Sequence, residues 1–190
     1  QVGGPSVYPY HPKGLWLEIN NRPGLSRAYP HPVDPVQLYR RSIYSFWKRT
    51  VPPPSMEAFD APGREYCVVR RSRTNTPLQA FVMLHDPQFV EAARLLGARM
   101  IQEGGQTVES RIKLGFALVT ARVPEPAELA LLRATHDEHL LQYQADASAA
   151  EKLLSVGVNP LNPSLDLAEQ AAYTQVARVL LNLSEFLTIG

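Results

Sequence analysis

Proline placement constrains this chain more than any other feature. Ten of its 17 prolines lie before residue 55, and proline lacks the N–H a helix interior needs while favouring extended or turn backbone. An irregular front is expected, with regular helix beginning later. Residues 1–34, QVGGPSVYPYHPKGLWLEINNRPGLSRAYPHPVD, also carry Tyr8, Tyr10, Leu15, Trp16, Leu17 and Ile19. That much apolar area predicts an extended Pro/Gly/aromatic-rich N-terminal arm laid over a surface, not a disordered tail.

Past the arm, residues 35–190 read as a helical domain. In PVQLYRRSIYSFWKRT, Val36, Tyr39, Ile43, Phe46 and Trp47 recur at helical spacing, so an amphipathic helix is expected over 35–50, stopped by VPPPS. A short extended stretch is expected at Tyr66 to Val69. Thr76, Pro77 and Gln79 form a capping-box start for a helix to Leu84, and Asp86 followed by Pro87 starts a second, carrying Phe89, Val90, Ala93, Leu96 and Met100 inward until Gly104 and Gly105. Further helices are expected over Thr107 to Thr120, from VPEPAEL onward with Leu129, Leu132, His136, Leu140 and Tyr143 on one face, over Ala147 to Val156, and over about 167–183 behind an Asp166-x-x-Glu169 cap. The expected fold class is all-α: an irregular bundle of about six helices with an extended arm.

A chain of 190 residues with 45% hydrophobic residues is long enough to bury a core. No apolar run approaches the ~18 residues a membrane span requires, and no signal sequence is evident. The start at Gln1 suggests a segment of something longer. With Cys67 as its only cysteine, the chain has neither an internal disulfide nor a Cys-x-x-Cys-His haem attachment, so no cofactor is expected in it. The net charge of +1 argues against a nucleic-acid surface. Charge is nonetheless uneven: residues 40–73 hold eight Arg or Lys against Glu57, Asp60 and Glu65, whereas residues 125–190 hold Arg133, Lys152 and Arg178 against nine acids.

The stretch RRSRTNTPLQAF places Arg70, Arg71 and Arg73 directly before the Thr76 helix start. Guanidinium forks match carboxylate, sulfate and phosphate, and a helix start favours an anion, so Arg70, Arg71, Arg73, Asn75 and Thr76 are candidate ligand-binding residues for a sulfated or acidic glycan. The competing reading, which is favoured, has these forks tying the loop to carbonyls or to acids of the later helices. His85 and Asp86 are weak catalytic candidates as an acid/base pair, against Asp86 as a simple cap and His85 as a boundary residue. His136 and His139 lack the His-Glu-x-x-His pattern and a third ligand, so no metal is expected. Cys67, within YCVV, reads as a small buried hydrophobe more readily than as a nucleophile. Trp47 is expected in the core.

Three stretches together, GGPSVYPYHPKGLW, YRRSIYSFWKRTVPPPSMEAFDAPGREYCVVRRSRTNTPLQAFVMLHDPQFVEAARLLGARM and the closing LLNLSEFLT, resemble the C-terminal domain of large planctomycete-type proteins, domain of unknown function 1553. The resemblance covers Gly3 to Leu187 and implies context more than chemistry. Such proteins are long and exported, often with a cytochrome-c-like domain and domain of unknown function 1549, and sometimes a carbohydrate-binding-like insert; their activity is not established. It implies an extracytoplasmic location, a c-type haem in the parent but not here, and the remainder of the parent polypeptide as partner, with the arm packing on upstream residues absent from this chain. The family commonly has asparagine where this chain has His85. A supporting, non-catalytic module is the first expectation, and an enzyme domain acting on acidic or sulfated glycans the second.

Overall fold

The computed structural model describes residues 3–8, 10–11, 34–48 and 52–188. The chain divides into two compact units, residues 1–82 and 83–190. The core of the expected arm, residues 12–33, lies outside the described residues.

In the first unit the described end of the arm pairs within this chain. Val7 N–H donates to Tyr44 O at 2.9 Å and Phe46 N–H donates to Val7 O at 2.7 Å, a parallel bridge to Ser45. Tyr8 meets Phe46 edge-on, and Arg40 lies 4.4 Å over the Tyr44 ring while donating to Gly3 O. This pairing corrects the expected helix over 35–50. The segment forms only α1 (Pro35–Leu38) and a 3-10 turn (Ser42–Tyr44), because the arm takes the backbone groups of Tyr44 and Phe46 that a continuous helix would use. The anticipated apolar stripe accordingly does not form: Ile43 is 78% exposed, and Leu38 is the buried residue instead. Trp47 is half-buried under Arg64. A short α2 (Pro54–Ala58) follows, and α3 (Pro77–His85) crosses the boundary between the units.

The second unit is an all-α bundle of α4 (Pro87–Glu103), α5 (Val108–Thr120), α6 (Pro126–Ala145), α7 (Ala147–Leu154), α8 (Leu167–Leu181) and α9 (Ser184–Leu187). Four of these starts are capped by a side chain. Asp86 accepts from Gln88 N–H at 2.9 Å ahead of Pro87, Thr107 and Ser110 form a capping box, and Asp146 and Asp166 accept from Ala149 and Glu169 N–H.

α8 is the axis of the core. Ala171, Ala172, Tyr173, Val176, Ala177 and Leu180 are all fully buried, and the alanines let neighbouring helices approach closely. α4 meets the α8 backbone closely at Gly97, where an added Cβ would lie 2.9 Å from Thr174 N and Tyr173 C. Val90, Ala93 and Met100 of α4, Ile112 and Phe116 of α5 and Leu132 of α6 are also buried. Each large side chain buried this way contributes about 1.5–3 kcal/mol before entropy is counted.

Candidate functional site

In the basic segment before α3, Thr74 is tied to Asp60 and to Gln79. Asp60, in left-handed backbone at φ 59°, accepts from Thr74 N–H at 2.8 Å and from the Thr74 hydroxyl. Gln79 Nε2 donates to Thr74 Oγ1 at 2.9 Å, and Gln79 closes the capping box with Thr76: Thr76 N–H donates to Gln79 Oε1 at 3.1 Å, and Gln79 N–H to Thr76 Oγ1 at 3.3 Å. The helix start is thus fixed by an Asp60–Thr74–Gln79–Thr76 chain in which Thr76 is already engaged with protein.

Arg70, Arg71, Arg73 and Asn75 are exposed. Arg70 and Arg71 make no ion pair or hydrogen bond among the described residues, contrary to the expectation that they lock the loop. The difference follows from Asp60: its carboxylate accepts a backbone N–H and a hydroxyl from Thr74 without drawing on Arg70 or Arg71. Two exposed forks are left facing solvent. The neighbouring stretch stays outside too, with Tyr66 78% and Val69 106% exposed, so Cys67, expected to be buried, is an exposed free thiol.

The other sequence candidates resolve locally. Asp86 is the N-cap of α4, and His85 is exposed at the end of α3. His136 is 1% exposed and His139 half-buried, with Nδ1 of His139 3.1 Å from Gln142 Oε1. Among the described residues no three His, Cys, Asp or Glu side chains gather as metal ligands, and no helix is long and apolar enough to cross a membrane.

Two buried polar groupings escaped the sequence reading. His136 lies 4.5 Å from the Tyr173 ring, and its Nδ1 is 2.9 Å from Asp137 Oδ1. A carboxylate only accepts, so Nδ1 donates to Asp137. The His136 Nε2 is buried without a hydrogen-bond partner. Arg111, paired to Glu169 at 2.6 Å, lies 5.7 Å from the Tyr173 ring. Burial pushes the Tyr173 phenol above its ordinary range, and the Arg111 charge opposes this. The imidazole is oriented by Asp137, but its Nε2 faces packed interior.

The second grouping is Glu91 and Arg94, both essentially fully buried on α4. Glu91 Oε1 accepts from Val158 N–H, Asn159 N–H and Asn159 Nδ2, and Arg94 Nη2 donates to Asn159 O at 2.7 Å. The Glu-x-x-Arg spacing was the available signal, since it stacks the two side chains on one helical face.

The family described as PSD1, protein of unknown function (DUF1553), matches residues 1–136. The match stops short of the closing LLNLSEFLT segment, so α7, α8 and α9 lie beyond it. No curated protein and no solved structure matches the chain. With well over half of its length matched, the chain belongs to the DUF1553 family.

Proposed function

We propose that this chain is a non-catalytic helical module of a larger extracytoplasmic protein, and that its exposed basic segment contacts an anionic glycan. One observation carries the reading. Arg70 and Arg71 are exposed and unpaired among the described residues, while the adjoining helix start is secured by Asp60, Thr74 and Gln79. Guanidinium groups that are not needed for the fold are available for planar sulfate or carboxylate groups, and Asn75 adds an exposed hydrogen-bonding side chain beside them. The remainder of the parent polypeptide is the module's first partner, and any c-type haem belongs to another domain of that parent. Electron transfer or polysaccharide processing is likewise assigned to domains outside this chain.

The reading as a glycan-processing enzyme draws less support, because the Asp86 carboxylate serves as the α4 cap. The test is a titration of the chain with sulfated dextran and with neutral dextran across a salt series. Binding to the sulfated polymer alone, falling as salt rises, supports the proposal. Equal binding to both polymers, or to neither, contradicts it.

A further inference from the structure

We infer that the outer face of α6 is a seam for a second copy of this chain, packed antiparallel and centred on residue 136. The inner face of α6 is accounted for: Leu132, His136 and Tyr143 are 4%, 1% and 6% exposed. The opposite face is apolar as well. Ala127, Leu131, Ala134, Glu138, Leu141 and Ala145 follow one another at alternating spacings of four and three, the seam pattern of paired helices, and all six are exposed. Leu131 and Leu141 stand 66% and 68% open to solvent. An amphipathic surface helix has one apolar stripe, and this one has two.

The order of residues along the outer stripe selects its occupant. Leu131 and Leu141 lie five positions either side of 136, and Ala127 and Ala145 lie nine either side. Two copies related by a two-fold axis at 136 therefore set leucine against leucine and alanine against alanine, the self-complementary match an isologous contact requires. Charge favours the same arrangement. Arg133 and Asp137, about half exposed and 3.7 Å apart, share one flank of the stripe. In the antiparallel pair, Arg133 of one copy falls about two residues, ~3 Å along the axis, from Asp137 of the other, and the contact occurs twice. Glu138 faces Ala134 of the other copy and brings two carboxylates near each other, which weakens the pair. The seam is a single 20-residue helix, ~30 Å long, and so belongs with small, weakly associating interfaces.

Sedimentation of the full chain over a concentration series reaching the near-millimolar range reads the association. A monomer–dimer equilibrium is expected, weakened by about tenfold or more in Leu131→Glu/Leu141→Glu and strengthened in Glu138→Ala, with melting temperatures confirming that both variants fold. In a Cys67→Ser background, chains carrying Ala134→Cys mixed with chains carrying Glu138→Cys should form a disulfide-linked heterodimer more readily than either forms a homodimer. A chain that stays monomeric throughout would assign the stripe to another segment of a longer polypeptide and overturn the inference. A dimer indifferent to Leu131 and Leu141, or cross-linking without preference, would overturn it equally.

Discussion

The Glu91 carboxylate, at 0% exposure, accepts the backbone N–H of Asn159 at 2.7 Å across 68 residues of sequence. It also accepts Val158 N–H and the Asn159 side chain, with Arg94 bound to the Asn159 carbonyl beside it. Replacing one member of a buried, hydrogen-bonded ion pair leaves the other charge and three donors unsatisfied. Glu91→Ala is expected to cost about 3–5 kcal/mol in urea unfolding. A cost within the range of an ordinary surface substitution would show that the loop over 156–159 is held by something else. Gly157, at φ +105° with an added Cβ only 2.3 Å from Glu91 Cδ, should resist substitution because a side chain there is strained and would collide with the held carboxylate.

Gly97 lies against the α8 backbone, and Ala there would meet backbone atoms that have no rotamer through which to move away. Gly97→Ala should destabilise by about 1–3 kcal/mol, the usual range for overpacking. Gly63→Ala serves as the control, since nothing lies within 4 Å of its added Cβ. Equal stability of the two variants would contradict the packing account.

Arg122 joins Glu128 at 2.7 Å and Glu185 at 2.9 Å, linking the end of α5, the start of α6 and the short α9. The Arg122 hydrogen bonds, with the Glu125 backbone N–H, hold the Glu128 carboxyl down at about 2. An unfolded glutamate titrates near ~4.3, so the folded form binds this proton less tightly. The stabilisation is present above that unfolded value and is lost as pH falls toward 2. Glu128→Gln should lower the melting temperature at neutral pH and match the parent chain near pH 2. A constant difference at all pH values would exclude the linkage.

At the start of α3, Thr76→Ala removes the cap acceptor for Gln79 N–H and should cost about 1 kcal/mol. Asp60→Ala should be at least as costly, since it leaves Thr74 N–H without its acceptor and puts alanine at φ 59°. Thermal melts of the two variants check the order. An unaffected Asp60→Ala would show that the chain of hydrogen bonds from Asp60 does not fix the helix start.

Features written in adjacent residues were legible in the sequence. Thr76 with Gln79, Asp86 with Pro87, and Asp166 with Glu169 satisfy backbone donors within one turn, so their chemistry needs no knowledge of the fold. The all-α class followed from the apolar spacing those caps precede. Residues 35–50 misled because the competing partner for Tyr44 and Phe46 is Val7, more than thirty residues away, and no local pattern reports it. Glu91 offered only its spacing to Arg94, and a glutamate on a helix reads as solvent-facing until the loop at 158–159 is brought to it. The exposure of Arg70 and Arg71 depended on Asp60, which read as an ordinary loop acid.

The central claim is that Arg70 and Arg71 serve a ligand and not the fold. It is tested most directly by measuring, in Arg70→Ala/Arg71→Ala, both the affinity for a sulfated polysaccharide at low salt and the melting temperature. Exposed, unpaired side chains contribute within about 0.5 kcal/mol to stability, so the account predicts an unchanged melting temperature with binding lost. A lowered melting temperature, or binding equal to that of the parent chain, would contradict it.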